Sequence, residues 1–235
     1  MTTTLITGAN KGLGRETARR LLAEGHTVYL GSRDADRGER AAAELGARLL
    51  VLDVTDDASV AAAAKTVAAD GGLDVLINNA GIEGRAPDGG VITAADVTGD
   101  QMRTLFDTNV FGAVRMLHAF LPLLTRSTTP VVVNVSSGLA SLTRVTTEGT
   151  PTHAYPGLAY PASKAALNMV TVQYAKAFPG IRINAVEPGY TATDLNANTG
   201  TQTVEEGAEV IVRAALLGPD GPTGDYFSVD GTLPW

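Results

Sequence analysis

The chain has 235 residues with a formal net charge of -7, and 44% of the residues are hydrophobic and 18% charged. This composition predicts one folded domain over residues 1-235, and an acidic chain with scattered basic residues is a poor partner for nucleic acid. The chain has no cysteine, its three histidines lack metal-ligand spacing, and no apolar run approaches the ~20 residues that cross a bilayer. We therefore expect a cytoplasmic protein that binds no metal, membrane or nucleic acid.

Short β-branched runs alternate along the chain with alanine-rich segments of helical period. The predicted strands are Thr3 to Thr7, Thr27 to Gly31, Arg48 to Leu52, Val75 to Asn78, Val131 to Ser136, Arg182 to Val186 and Tyr226 to Val229. The predicted helices are Leu13 to Glu24, Asp36 to Leu45, Ala58 to Ala69, Asp100 to Leu124, Pro161 to Phe178 and Val204 to Leu217. Most of the strands are unbroken apolar runs, as parallel strands covered on both faces require. The alternation predicts an α/β fold, a doubly wound parallel sheet of about seven strands in a three-layer αβα sandwich.

Two segments fit no regular element and are predicted as surface loops. Segment 83-99 is rich in Gly, Pro and Asp, and segment 138-157 is rich in Thr, Pro and Gly. We expect loops 138-157 and 190-203 to shape a substrate pocket at the carboxyl ends of the strands. For any one lining residue, a surface loop without substrate contact is an equal alternative. The candidates are Leu142, Val145, His153, Tyr155, Tyr190 and Leu195.

A glycine-rich turn, Thr7-Gly8-Ala9-Asn10-Lys11-Gly12-Leu13-Gly14, follows the first strand and opens a helix. Glycines allow the backbone to turn tightly and approach a pyrophosphate, and the helix N-terminus stabilises the anion. An ordinary strand-to-helix connection is the alternative for this turn alone. Its T-G-x-x-x-G-x-G spacing departs from the G-x-G-x-x-G of many dinucleotide-binding proteins. The predicted cofactor contacts in the turn are Gly8, Asn10, Lys11, Gly12, Leu13 and Gly14.

Further motifs stand in order along the rest of the chain. They are Asp53-Val54, Asn78-Asn79-Ala80-Gly81, Thr108-Asn109-Val110-Phe111-Gly112, Asn134-Val135-Ser136-Ser137, Tyr160-Pro161-Ala162-Ser163-Lys164 and Pro188-Gly189-Tyr190-Thr191-Ala192-Thr193. With the glycine turn, they resemble the short-chain dehydrogenase/reductase family over nearly the whole chain, in particular its carbonyl-reductase-like, NADP-dependent members. The resemblance implies a single-domain Rossmann fold and catalytic roles for Asn109, Ser137, Tyr160 and Lys164. It implies cofactor contacts from Asp53, Val54, Asn79, Ala80, Gly81, Tyr160, Lys164, Pro188, Gly189, Thr191 and Thr193.

Tyr160 and Lys164 are four positions apart and share one helix face. An ammonium roughly 4 to 5 Å from a phenol would lower its pKa from about 10 by about 2 to 3 units, so we expect Tyr160 to titrate near the working pH. The resemblance implies hydride transfer between a nicotinamide and a carbonyl or secondary alcohol, with Tyr160 as general acid/base and Ser137 holding the substrate oxygen. It also implies that Lys164 binds the nicotinamide ribose and that Asn109 anchors a water.

The end of the second predicted strand bears on the choice of dinucleotide. An acid at this place would bind a free ribose, but Ser32 stands there and Arg33 follows it. Lys11 can reach the same place, and two cations favour the 2'-phosphate of NADP. NAD is the less favoured alternative, in which Asp34 binds the ribose and Arg33 is a solvated surface charge.

Two other classes of protein keep parts of this pattern: a catalytically silent NADP-binding regulatory protein, and a nucleotide-sugar epimerase or dehydratase. The intact candidate catalytic residues argue against the first. The glycine spacing and the little chain after Thr193 argue against the second. Ser137 and Tyr160 are 23 positions apart, a longer gap than the resemblance implies. In carbonyl-reductase-like relatives an insertion here can obstruct the helix association that makes tetramers, so the oligomeric state stays open, with a homo-oligomer as one alternative. The expected partner is a small carbonyl or alcohol, whose identity and direction of reaction stay open.

Overall fold

The computed structural model describes residues 2-235. Within this range lie eight strands: β1 (Thr3–Ile6), β2 (Thr27–Ser32), β3 (Arg48–Val51), β4 (Val75–Asn78), β5 (Val131–Val135), β6 (Arg182–Val186), β7 (Tyr226–Ser228) and β8 (Gly231–Thr232). The same range forms eight α-helices: α1 (Gly12–Ala23), α2 (Ala35–Leu45), α3 (Asp57–Ala69), α4 (Gly99–Phe106), α5 (Gly112–Leu124), α6 (Leu142–Thr146), α7 (Ala159–Ala177) and α8 (Val204–Ala215). None of these helices is both long and apolar enough to cross a bilayer.

All eight strands belong to one sheet with the order β3-β2-β1-β4-β5-β6-β7-β8. Every neighbouring pair is parallel except β7 and β8, which are antiparallel. The order reverses between β1 and β4, and a crevice forms at the carboxyl ends of strands at such a switch point. The doubly wound α/β prediction is confirmed. The eighth strand was not predicted, because two residues are too few to form a recognisable apolar pattern.

Helices cover both faces of the sheet. Neighbouring strand residues point to opposite faces, so Leu5 packs in a cluster with Phe120 while Ile6 packs in a second cluster with Ile211. The first cluster joins the sheet to α3, α5 and α7, and the second joins it to α1, α2 and α8. Fully burying a side chain of this size contributes about 1.5 to 3 kcal/mol. The predicted three-layer sandwich therefore has two cores that fix the strand ends.

Two predicted segments differ from the structure. The predicted helix from Asp100 to Leu124 contains a π-helical turn, Asp107–Phe111, between α4 and α5. The segment 138-157 is only partly a loop, since it contains a 3-10 turn and α6, where the Ser141 hydroxyl accepts a hydrogen bond from the Arg144 amide at 3.1 Å. A short helix capped by one serine leaves little periodicity in a sequence.

The segments 83-99 and 138-157 are joined to each other. An isolated antiparallel bridge pairs Thr93 with Gly157, and the Ala94 amide donates to the Pro156 carbonyl at 3.2 Å. The two segments therefore form one continuous wall beside the N-terminus of α7, where Tyr160 lies.

Candidate active site

The glycine turn, residues 7-14, lies where β1 ends and α1 begins. Gly8 and Gly12 have φ angles of 64° and 54°, a region that favours glycine. A β-carbon at Gly14 would lie 2.5 Å from Asn79 Nδ2, so no side chain fits there. Helices α2, α3, α4 and α8 begin with a side-chain cap, whereas Lys11, the N-cap residue of α1, makes none. The turn thus combines a close backbone approach with an uncapped helix N-terminus, which suits a bound phosphate.

The end of β4 is hydrogen-bonded to this turn. Thr7 Oγ1 accepts from the Asn79 and Ala80 amides at 3.0 and 2.9 Å. Asn79 Nδ2 donates to the carbonyls of Thr7 and Gly8 at 2.8 and 3.2 Å. These bonds hold two of the predicted cofactor-binding motifs together at the switch point of the sheet.

Lys164 lies between the end of β5 and the candidate catalytic tyrosine. Its side chain is buried, and Nζ donates to the Val135 carbonyl at 2.7 Å and lies 5.7 Å from the centre of the Tyr160 ring. A β-carbon at Gly81 would lie 3.5 Å from Lys164 Nζ and 3.3 Å from Asn109 Oδ1. The structure therefore brings these predicted residues, which are far apart in sequence, into one cluster.

Asn109 lies inside the π-helical turn and ties α7 to the loop after β4. Its Oδ1 accepts from the Ile82 amide at 2.8 Å, and its Nδ2 donates to the Ile82 carbonyl at 2.8 Å and to Ser163 Oγ at 2.9 Å. Ser163 Oγ in turn donates to the Tyr160 carbonyl at 2.8 Å. Single π-helical turns occur frequently at functional sites. Since both Nδ2 hydrogens are used, the predicted water of Asn109 would have to bind another of its atoms.

Ser137 follows β5 and faces Tyr160. Its hydroxyl accepts from the Leu139 amide at 3.3 Å, and the same hydroxyl lowers the pKa of Tyr160. The Tyr226 hydroxyl donates to the Ser137 carbonyl at 2.5 Å, and the Tyr226 ring stacks on Trp235 with centres 5.4 Å apart. The sequence did not single out Tyr226, because an aromatic residue in an apolar strand has the pattern of a core residue.

The ionisation of Tyr160 differs from the sequence-based expectation. Burial and the nearby Glu83 carboxylate raise the pKa of Tyr160, Ser137 lowers it through a hydrogen bond, and Glu187 raises it. The net pKa is above the ordinary value for tyrosine. Burial lowers the pKa of Lys164 to about 8. The predicted lowering of the Tyr160 pKa is therefore wrong in this structure, because burial of the phenol and the Glu83 and Glu187 carboxylates oppose its ionisation.

The residues after β2 bear on the choice of dinucleotide. The Asp34 carboxylate caps α2 by accepting from the Arg37 amide at 2.9 Å, and it pairs with the Arg37 guanidinium at 3.1 Å. Arg33 is exposed and forms no ion pair within 4.0 Å in the described part of the chain. Lys11 Nζ lies 2.8 Å from the Asp194 carboxylate. Among the described residues none forms an ion pair with Arg33 at the end of β2, whereas Lys11 is paired with the Asp194 carboxylate.

Asp53 and Val54 lie at the end of β3. Asp53 Oδ1 accepts from the Thr55 amide and hydroxyl at 2.9 and 2.7 Å. Burial opposes ionisation of Asp53, but the Thr55 hydrogen bonds and the nearby Arg33 charge outweigh it and lower the pKa. Val54 is buried against α5, since a β-carbon at Gly112 would lie 2.8 Å from its Cγ2. Asp53 is consequently an ionised group close to Arg33.

The segment 188-193 after β6 reaches the glycine turn. Gln202 Nε2 donates to Thr191 Oγ1 at 2.9 Å and also to the Pro188 carbonyl, so the loop folds back on itself. A β-carbon at Gly12 would lie 3.5 Å from Thr193 Cγ2. The predicted contacts of this segment therefore lie next to the glycine turn.

A cavity of about 320 Å³ adjoins Tyr160. Tyr155 lines it, but none of the other five residues expected to form the pocket does, and Leu142 is 68% exposed. Glu83 lines the cavity as well and was not predicted. No sequence pattern indicated it, since it is a single acidic residue in an irregular segment.

A doubly wound sheet with a glycine turn at its switch point, beside a buried lysine and a tyrosine, is typical of α/β proteins that bind a nucleotide. The short chain dehydrogenase family model matches residues 2-204, and the chain belongs to this family. It is an oxidoreductase that acts on carbonyl or alcohol groups.

Individual relatives cover almost the whole chain. The (+)-neomenthol dehydrogenases of Capsicum annuum and Arabidopsis thaliana are 33% and 36% identical over 295 and 286 aligned positions. These alignments cover 95% of the chain in both cases, and 94% and 95% of the relatives. Salutaridine reductase from Papaver somniferum superposes with a TM-score of 0.84 at 28% identity, covering 97% of this chain and 100% of that one. NADPH-bound carbonyl reductase from chicken fatty liver superposes with a TM-score of 0.86 at 27% identity, covering 100% and 99%.

Proposed function

We propose that the protein is an NADP-dependent ketone or aldehyde reductase in which Tyr160 is the general acid/base. The observation that carries this proposal is the arrangement of Tyr160, which lines a cavity, has its ring centre 5.7 Å from the buried Lys164 ammonium, and lies close enough to Ser137 for that hydroxyl to lower its pKa. We further propose a cytoplasmic enzyme with one catalytic domain over residues 1-235, acting on a small-molecule carbonyl.

The preference for NADP rests on charge. Arg33 and Lys11 would bind the 2'-phosphate, and the Asp34 carboxylate is already used as the cap of α2. The similar chicken carbonyl reductase is described as NADPH-bound, which agrees with this preference. The turn 7-14 would hold the pyrophosphate, and the motifs after β3, β4 and β6 would contact the rest of the dinucleotide. When bound, the reduced nicotinamide supplies a hydride to the substrate carbonyl carbon.

Tyr160 donates the proton that the substrate oxygen requires during reduction, and Ser137 donates a hydrogen bond to the same oxygen. A raised pKa keeps the phenol protonated throughout the neutral range, which is the form that a proton donor needs. The enzyme is therefore expected to reduce carbonyls at neutral pH, while alcohol oxidation requires alkaline pH. Lys164 lies 5.7 Å from the centre of the Tyr160 ring and would hold the nicotinamide ribose.

A screen of aldehydes and ketones with NADPH and with NADH, followed by the loss of reduced nicotinamide and the formation of alcohol, tests this function. We expect equimolar loss of NADPH and gain of alcohol, with kcat/KM at least about tenfold higher for NADPH than for NADH because a phosphate bound by two cations is lost with NADH. NADPH binding without turnover would indicate a silent regulatory protein. A product formed without net consumption of NADPH would indicate an epimerase or dehydratase.

A further inference from the structure

The cavity beside Tyr160 has mostly apolar walls and a polar pair of side chains, and Asp100, Gln101 and Thr104 are further polar residues in its lining. Its walls include Ile82, Val91, Ile92, Val97, Leu105 and Leu158. Its volume of about 320 Å³ is at the small end of the range of about 300 to 1,000 Å³ for ligand pockets. The cavity therefore fits a molecule of about one ring with small substituents.

The polar pair consists of Glu83 and Tyr155. Glu83 is 8% exposed, and its Oε1 accepts from the Tyr155 hydroxyl at 2.8 Å. Its Oε2 accepts from Arg85 Nε and Nη2 at 3.2 and 2.7 Å. A buried carboxylate is expensive unless it is paired and hydrogen-bonded, and these bonds meet that requirement. Each carboxylate oxygen still has capacity to accept a further hydrogen bond.

The hydrogen-bond acceptors that Glu83 and Tyr155 still offer determine which kind of ligand group the pair binds. The Tyr155 hydrogen is given to Glu83, so the phenol oxygen and the carboxylate oxygens act as acceptors. Arg85 already balances the charge of Glu83, and its Nη1 donates to the Gly89 carbonyl at 3.3 Å. A cationic group on the ligand would bring a positive charge that Glu83, already neutralised by Arg85, does not balance. A neutral hydroxyl, which donates one hydrogen bond and carries no charge, fits the Glu83-Tyr155 pair.

We propose that the substrate is a hydroxylated but otherwise apolar ketone, whose hydroxyl donates a hydrogen bond to the Glu83-Tyr155 pair while its carbonyl lies at Tyr160. This inference rests on the proposed reductase function and specifies its substrate class. The reaction is the same: the carbonyl carbon gains a hydride, the carbonyl oxygen gains a proton, and the hydroxyl of the substrate is unchanged.

The pair also joins two segments of the chain, and the test must separate this structural role from recognition. Tyr155 belongs to segment 138-157 and Glu83 to segment 83-99, which also meet at the Thr93-Gly157 bridge. Loosening this contact would slow the reduction of every ketone in similar proportion. Loss of recognition would slow only the hydroxylated ones.

The probes are 2-, 3- and 4-hydroxycyclohexanone, each compared with the methylcyclohexanone of the same substitution, using NADPH and the whole chain. The measured quantity is the ratio of kcat/KM for the hydroxylated ketone to that for its methyl partner. Because a hydrogen bond to a charged group is at stake, we expect the wild-type protein to prefer at least one hydroxylated isomer about ten- to a hundredfold. Tyr155→Phe and Glu83→Gln should each bring that ratio within about threefold of unity.

A matched control lies elsewhere in the fold. The Tyr29 hydroxyl donates to Asp70 at 2.6 Å, and Arg48 donates to the same carboxylate at 3.4 Å, so the three side chains repeat the chemistry of Tyr155, Glu83 and Arg85. Tyr29→Phe removes an equivalent hydrogen bond and should leave the substrate ratio unchanged.

Two results would overturn the inference while the reductase function stands: equal kcat/KM for hydroxylated and methyl ketones in the wild-type protein, or an unchanged preference in both Tyr155→Phe and Glu83→Gln. Absence of NADPH oxidation with every aldehyde and ketone would instead overturn the proposed function, and the inference with it. Circular dichroism of each variant shows whether a lost preference reflects unfolding, and Tyr155→Phe, which keeps the ring and the Glu83-Arg85 ion pair, is the milder change.

Discussion

The Lys164 ammonium donates to the Val135 carbonyl at 2.7 Å and lies 5.7 Å from the centre of the Tyr160 ring. The carbonyl accepts a hydrogen bond from the ammonium, but burial favours the neutral amine and lowers the pKa of Lys164 to about 8. Lys164 is therefore a cation near neutral pH that loses its proton at mildly alkaline pH.

This pKa makes the free energy of unfolding depend on pH. The folded-state pKa of Lys164 is about 8, against an ordinary value of 10.5. Between these values the unfolded chain binds more protons, so the contribution of Lys164 to stability rises with pH. Compared with Lys164→Met, the wild-type protein should gain roughly 3 kcal/mol between pH 7 and pH 10.5. Denaturant unfolding of both proteins across this range measures it, and a stability difference that does not change with pH would contradict the assignment.

Ser137→Ala should slow carbonyl reduction about 100- to 1000-fold, because it removes a hydrogen-bond donor to the substrate oxygen. Since the Ser137 hydrogen bond also lowers the pKa of Tyr160, the rise of alcohol oxidation with pH should move to higher pH in this variant. Ser136→Ala is the matched control, because Ser136 bonds to Asn168 at 2.7 Å and not to Tyr160. Equal kinetic losses in both variants would argue against a role for Ser137 at the substrate oxygen.

Asp34→Ala should lower the free energy of unfolding by about 1 kcal/mol, as expected for the loss of a helix cap. It should leave the ratio of kcat/KM for NADPH and NADH unchanged, because the Asp34 carboxylate is used by α2. Asp56→Ala, which removes the equivalent cap of α3, is the control for stability. A selective loss of activity with NADH in Asp34→Ala would instead show that Asp34 binds the ribose.

The Lys11-Asp194 ion pair joins the glycine turn to the segment after β6. Both side chains are exposed, so Asp194→Asn should change stability by less than about 1 kcal/mol. Removing the carboxylate frees Lys11 for the phosphate, and the Kd for NADPH should fall about three- to tenfold at low salt and less at high salt. Calorimetric titration measures the Kd for NADPH at low and at high salt. Lys11→Ala should weaken NADPH binding much more than NADH binding. A Kd for NADPH that is unchanged in both variants would contradict a phosphate site at Lys11.

The sequence predicts the parts of the fold that repeat a local pattern. Strands such as β4 and β5 are continuous apolar runs, so their position and the motifs at their ends can be predicted from the chain. The π-helical turn at Asn109 was not predicted, because a change in backbone hydrogen bonding leaves no periodicity of its own. β8 was missed because it has only two residues.

The site was predicted less completely than the fold. The four-residue spacing places Tyr160 and Lys164 on one helix face, but it does not fix the direction of Nζ, which bonds to the Val135 carbonyl. Glu83 and Tyr155 are 72 positions apart in irregular segments, so only the folded chain brings them together. The raised pKa of Tyr160 comes from burial and from carboxylates that are distant in sequence. For this reason the direction of its pKa shift could not be predicted from spacing.

The most direct test of the account is the replacement of the Tyr160 hydroxyl. Tyr160→Phe keeps the ring beside Lys164 and removes the proton that the substrate oxygen receives. With a ketone that the wild-type protein reduces, kcat should fall about 100- to 10,000-fold, while the Kd for NADPH changes by less than about threefold. A variant that binds NADPH and reduces the ketone at the wild-type rate would contradict the assignment of Tyr160 as the general acid.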